Sequence, residues 1–184
     1  MINFTNYKNV LSVCDKARDA SGIMHSLTGA ISMSQIFDNA CYRPSNFKTY
    51  EYIDPITYAK YGEKSLWFMD SRILWTADAI REYFNLPCVI NNYITAKDGD
   101  IYKESGLRYD TALGAERSQH LYGRAVDIKI HGLSADDARK EILDKQKTEP
   151  AFRFITAIEL DVSWLHVDCR NTESDTIYTF TKSA

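Results

Sequence analysis

The strongest constraint on the fold comes from three polar side chains, His120, Asp127 and His166, which lie in or beside short apolar segments. Two imidazoles and one carboxylate are sufficient to hold a catalytic zinc ion and to leave its fourth position open to water. Gly123 allows the backbone to turn tightly between the first two residues. His166 belongs to a different segment, so the fold must bring it to the others. These three side chains are therefore candidate ligands of one Zn²⁺ site; on residue type alone, the alternative is two structural histidines and a solvated strand aspartate.

Hydrophobic periodicity predicts an α+β fold in which a small, mostly antiparallel sheet packs with helices. Apolar residues at helical spacing indicate a helix that starts near Asp70 and is stopped by Asn85 and Pro87. Alternation over 125–130 predicts a strand that places Asp127 and Lys129 on one face. Further strands are expected at 88–93, 152–160, 164–170 and 176–181, and a helix capped by Ser134 is expected to run to about Lys147.

Two other stretches are predicted to be irregular. Residues 38–65 contain Pro44 and Pro55, which are expected to break regular structure. Residues 95–117 form a glycine-containing loop of a length that is often functional.

Composition and charge narrow the classes of function. The net charge is −3 and no long basic run occurs, which argues against nucleic-acid binding. No apolar run approaches the roughly 18 residues of a membrane span, and the first residues do not resemble a signal peptide. We therefore expect a protein made in a bacterial cytoplasm. The four cysteines are widely spaced and are expected to be reduced thiols rather than zinc ligands.

The residues around the candidate ligands form two motifs, S-x-H-x-x-G-x-A-x-D over 118–127 and W-x-H-x-D over 164–168. Together they resemble the zinc D-Ala-D-Ala carboxypeptidase family, which includes D,D-dipeptidases and phage L-alanyl-D-glutamate endopeptidases. The resemblance covers about residues 70–171, and the S-G-L-R stretch over 105–108 looks like a segment found upstream of the first ligand in such domains. It implies a Hedgehog/D-Ala-D-Ala-peptidase-like zinc fold with the three ligands named above.

The same resemblance implies a function. The expected protein is a zinc metallopeptidase that cleaves peptidoglycan stem peptides at a bond involving a D-amino acid. Phage-encoded members have a similar lead-in, so the protein is expected to act on the cell wall after release or as a virion component. Residues 47–184 would form the peptidase-like domain, and residues 1–46 would form an N-terminal segment without an assigned role.

The general base is left open between two acids. Many members of the family carry an acidic residue three positions before the last histidine, where this chain has Ser163. The nearby acids are Glu159 and Asp161, and Glu159 is favoured because phage-type relatives place a glutamate at that position. The departure at Ser163 also keeps an alternative function open, namely a non-catalytic, zinc-stabilised structural or wall-binding module.

Two further residues are assigned supporting roles. Arg108 is the candidate cation for a substrate carboxylate or an oxyanion, because its planar guanidinium matches both groups. Asp168 follows His166 by two residues and shares its face of the strand, so it is expected to fix the tautomer of that imidazole.

Overall fold

The computed structural model describes residues 42–110 and 115–181, which contain five strands, four α-helices and short 3₁₀ turns. The helices are α1 (Thr49–Tyr52), α2 (Pro55–Tyr61), α3 (Ser71–Phe84) and α4 (Ala135–Lys145). The strands are β1 (Cys88–Val89), β2 (Ala125–Ile130), β3 (Ala157–Leu160), β4 (Leu165–Asp168) and β5 (Tyr178–Thr181). None of the helices in these residues is long and apolar enough to cross a membrane. Most of the predicted N-terminal segment, up to residue 41, lies outside the described residues.

The five strands form one sheet in the order β1-β2-β4-β3-β5. All neighbouring strands pair antiparallel except β3 and β5, which are parallel. The predicted α+β class is therefore confirmed, with a sheet that is mixed rather than purely antiparallel. The apolar face of the central strands is closed by a row of fully buried residues, Val126, Val167 and Ile158.

Helix α3 supplies the main helical layer behind the sheet, and its predicted position is confirmed. Asp70 caps the first turn by accepting a hydrogen bond from the backbone N–H of Arg72. Asn85 ends the helix in the left-handed conformation, with φ of 50°. Four apolar side chains of one helical face are fully buried, namely Ile73, Leu74, Ala77 and Ile80.

The prediction that residues 38–65 are irregular, with Pro55 breaking regular structure, is wrong, because α1 and α2 lie in this stretch. Pro55 is the first residue of α2, and the Asp54 side chain accepts hydrogen bonds from the N–H groups of Ile56 and Thr57. Proline is tolerated at this position because the first helical N–H groups have no partner within the helix.

Four of the five predicted strands are shorter than the sequence indicates; those expected at 164–170 and 176–181 cover Leu165–Asp168 and Tyr178–Thr181. The strand expected at 152–160 begins only at Ala157, because Pro150–Phe152 form a 3₁₀ turn that buries Phe152 against the ring of Tyr83. The strand expected at 88–93 covers Cys88–Val89 alone. Asn91 then leaves the sheet and hydrogen-bonds elsewhere.

Asn91 and Gly106 fix the long loop that follows β1. The buried side chain of Asn91 donates to the carbonyl of Ile53 at 3.2 Å and accepts from the N–H of Ser105 at 2.9 Å. Gly106 passes so close to α1 that an added Cβ atom would overlap the carbonyl oxygen of Tyr52. The 105–108 segment is therefore held against α1 at one defined position.

Gly106→Ala is expected to lower the free energy of unfolding by about 3 kcal/mol, because the backbone must move to relieve this overlap. Urea denaturation with an unchanged m-value is the measurement. Gly132→Ala is the matched control: Gly132 has φ of 84° but no neighbour within 4 Å, so only the backbone penalty of about 1 kcal/mol remains. A Gly106→Ala protein as stable as wild type would show that this close approach does not exist.

Candidate metal centre

The register of the sheet places three predicted site residues in one row. Asp127 of β2 is the direct partner of His166 of β4, and His166 is the direct partner of Glu159 of β3. Directly paired residues of antiparallel strands project from the same face of the sheet. The row continues to β5, where Phe180 is paired with Glu159 and its ring lies 5.7 Å from the ring of His166.

His120 enters the site from outside the sheet. It lies in the 3₁₀ turn Gln119–Tyr122, which ends at Gly123 with φ of 63°. A Cβ atom on Gly123 would overlap the carbonyl oxygen of Phe68, so the turn needs glycine for both its conformation and its space. The turn directs the His120 imidazole to the Asp127–His166 pair, and only 1% of His120 is exposed.

The facing atoms of the three predicted ligands lie within contact distance. His120 Nε2 lies 3.2 Å from both His166 Nδ1 and Asp127 Oδ1. His166 Nδ1 lies 2.7 Å from the same carboxylate oxygen. The structure thus brings together all three residues predicted as metal ligands, and their donor atoms form a group that can hold one metal ion.

The outer nitrogens of both imidazoles are occupied by hydrogen-bond acceptors. His120 Nδ1 donates to the carbonyl oxygen of Gly106 at 2.7 Å. His166 Nε2 donates to Asp168 Oδ2 at 3.3 Å. When both imidazoles are neutral and carry one proton each, the two inner nitrogens are acceptors, as is Asp127 Oδ1. Three acceptors that face one another repel unless a positive charge lies between them, and either a proton or a bound metal ion can supply that charge.

The electrostatics of the site favour positive charge at this point. Burial alone would raise the pKa of the Asp127 carboxyl, but the charges and hydrogen bonds of His120 and His166 hold that pKa far below its usual range. Burial alone would lower the pKa of His166, but its hydrogen bonds to Asp127 and Asp168 raise it to about 9. The same environment that retains a proton would stabilise a bound cation.

Asp168 is positioned as the sequence predicts, behind the imidazole of His166. It is fully buried, and Arg170 Nε donates to its Oδ1 atom at 2.9 Å. Burial alone would raise the pKa of this carboxyl, but hydrogen bonds from His166 and Arg170 lower it. Asp168 therefore stays ionised and holds the ring of His166 with Nδ1 directed into the site.

Of the three residues predicted to act in catalysis, two lie at the site and one does not. Glu159 lines the site, with Oε2 at 4.0 Å from His166 Nδ1. Arg108 donates through Nη2 to Asp127 Oδ2 at 3.0 Å and through Nε to the carbonyl of Glu104 at 2.8 Å. Asp161 is exposed, has φ of 59° in the β3–β4 turn and does not line the site.

An open groove of about 1080 Å³ leads to the three ligands. Its walls come from the 101–108 segment, the turn that carries His120, the β3–β4 connection and the end of β5. Trp164 lines one wall, and Ser163 lies beside it. The predicted functional loop is thus one side of the groove, with residues 111–114 outside the described part of the chain.

Sequence reasoning missed two contributors to the site. Phe180 packs on His166 from β5, and no local pattern links that strand to the ligands. The Gly106 carbonyl orients His120, and here a signal existed, because the S-G-L-R resemblance marked the segment without indicating a backbone role.

Comparison with known proteins finds no matching family model, no matching curated protein and no matching solved structure. The resemblance to the zinc peptidases therefore rests on the two sequence motifs alone.

His120→Ala and His166→Ala are expected to lose the bound zinc, which wild type should hold at one ion per chain. At a zinc concentration of 100 times Kd, wild type should gain about 2.7 kcal/mol of stability that these variants lack. Metal analysis and thermal unfolding with and without zinc measure both effects. His131→Ala is the matched control, because His131 is exposed and outside the site. Full zinc binding by His120→Ala would disprove the ligand assignment.

Asp168→Asn is expected to weaken zinc affinity about 10- to 100-fold while keeping the three ligands, because His166 loses the carboxylate that orients it. Competition with a fluorescent zinc chelator measures the change. The exposed Asp175→Asn variant should bind zinc like wild type. Equal affinities in the two variants would mean that Asp168 has no role in orienting the imidazole.

Proposed function

We propose that this protein is a zinc-dependent peptidase that cleaves peptidoglycan stem peptides at a bond involving a D-amino acid. The observation that carries the proposal is the convergence of His120, Asp127 and His166 at an open groove, with Glu159 beside them. Three ligands with access from solvent are typical of catalytic zinc, whereas structural zinc more often has four protein ligands.

Zinc held by these residues would supply Lewis-acid chemistry, polarising a peptide carbonyl and lowering the pKa of a water molecule. Glu159 is the side chain that would accept a proton from the attacking water and return it to the leaving amine. Its position supports this role, since its carboxylate lines the groove and lies 4.0 Å from the inner nitrogen of His166. Asp161, the other candidate base, is exposed in the β3–β4 turn.

Arg108 would provide the positive charge at the other side of the ligands. Its guanidinium lines the groove and is held by Asp127 and by the carbonyl of Glu104. A fixed cation at this position favours a substrate carboxylate or the negative charge that develops on a carbonyl oxygen during attack. Arg108 also holds the second oxygen of Asp127, which leaves Oδ1 directed to the imidazoles.

The substrate class is inferred from the motifs together with the groove. The S-x-H-x-x-G-x-A-x-D and W-x-H-x-D strings resemble the D-Ala-D-Ala peptidase family, and the residues of those strings are the ones that meet in space. On this basis we extend the proposal to a Hedgehog/D-Ala-D-Ala-peptidase-like zinc fold and to a phage protein that acts on the bacterial wall.

Glu159→Gln is expected to bind zinc like wild type and to lose at least about 100-fold in the rate of stem-peptide cleavage, because the amide of glutamine does not accept the proton. Mass spectrometry of digested peptidoglycan, with the zinc content of each sample, is the measurement. Asp161→Asn is the matched control and should keep its activity. A fully active Glu159→Gln with an inactive Asp161→Asn would reverse the assignment of the base.

The same experiment separates the peptidase from the non-catalytic module. Cleavage that is lost on chelation and restored by zinc supports the enzyme. Zinc binding and thermal stabilisation without cleavage of any peptidoglycan fragment would support the module, which the serine at position 163 favours.

A further inference from the structure

A lysine in the wall of the groove has no anionic partner. Lys129 is half-buried and lines the groove, yet its side-chain amine forms no ion pair or hydrogen bond with any residue in 42–110 or 115–181. Two arginines of the same groove differ in this respect, since Arg108 pairs with Asp127 and Arg170 with Asp168.

Two aromatic rings hold the Lys129 amine in place. Its Nζ atom lies 4.9 Å from the centre of the Tyr102 ring and 5.9 Å from that of Trp164. Tyr102 is itself fixed, because its N–H donates to the side chain of Asn92 at 2.7 Å and its hydroxyl donates to Asp100 at 3.0 Å. The ring faces stabilise the ammonium group without using its three N–H donors.

Lys129 has a defined position relative to the metal ligands. It follows Asp127 by two residues on β2 and so shares its face, with the two Cα atoms about 7 Å apart along the strand. That separation corresponds to about two residues of an extended peptide. A substrate whose scissile bond lies at the ligands would place a neighbouring residue beside the Lys129 amine.

We infer that Lys129, Tyr102 and Trp164 form a subsite for a carboxylate carried by the substrate one or two residues from the scissile bond. This inference rests on the proposed function, and it specifies that the substrate carries a negative charge near the scissile bond. An ammonium group in a partly desolvated wall gains a charge-assisted hydrogen bond from such a carboxylate. Stem peptides offer two sources of this group: the α-carboxylate of a γ-linked D-glutamate and the C-terminal carboxylate.

The test uses the zinc-loaded full chain and the synthetic peptide L-Ala-γ-D-Glu-L-Lys-D-Ala-D-Ala. One analogue carries a carboxamide in place of the D-glutamate α-carboxylate, and another carries a C-terminal carboxamide. We expect kcat/KM of wild type to fall about tenfold to a hundredfold for one of the two analogues. The affected analogue identifies which carboxylate binds.

Variants of the subsite complete the test. Lys129→Met keeps an unbranched side chain between the rings, and it should cleave the parent peptide and the affected analogue equally slowly. Lys129→Arg should restore the preference for the free acid, whereas the exposed Lys97→Met should behave like wild type. Equal preference for the acid in wild type and Lys129→Met would overturn the subsite while leaving the peptidase intact.

If no peptide is cleaved, the same comparison is made on Kd by calorimetry. If wild type binds the free-acid peptide more tightly than the carboxamide analogue and Lys129→Met does not, the subsite is supported. The peptidase proposal is then contradicted, because the peptide is bound but not cleaved. Absence of binding to all three peptides would overturn both proposals.

Discussion

The antiparallel register of β2, β4 and β3 is the constraint on which the site depends. It pairs Asp127 with His166 and His166 with Glu159, so that a candidate ligand carboxylate, a candidate ligand imidazole and the candidate base project from one face. The register is fixed from the other face by the buried row that includes Val126 and Val167. A slip of one residue would turn His166 into the core and bring an apolar side chain to the ligands.

Backbone groups position His120, the candidate ligand that does not lie in the sheet. The carbonyl of Gly106 takes the outer proton of His120, and Gly123 lets the turn that carries His120 pass beneath Phe68. Asn91 connects the segment before Gly106 to the start of the domain, through the carbonyl of Ile53 and the N–H of Ser105. The third ligand is thus positioned by close approaches that only glycine permits, together with one buried amide.

Hydrophobic periodicity predicted the elements that depend on residues close together in the sequence. Alternation in 125–130 placed Asp127 and Lys129 on one face, and helical spacing placed α3 within a residue of its observed start. The parallel pairing of β5 with β3 depends on distant residues, so periodicity could not reveal it. The apolar run from Phe152 has a pattern typical of a strand, but Phe152 is buried against Tyr83 by a tertiary contact that leaves no period in the sequence. Whether Glu159 or Asp161 faces the site depends on the residue at which β3 ends. Sequence patterns locate the ends of strands poorly.

The most direct measurement is a crystal structure of the zinc-loaded protein with anomalous diffraction recorded on both sides of the zinc absorption edge. The expected result is a single strong zinc peak bonded by His120 Nε2, His166 Nδ1 and Asp127 oxygen at about 2.0–2.2 Å, with its remaining side open to the groove. A peak at another position, or a chain that shows no zinc peak at saturating metal, would contradict the metal centre and everything inferred from it.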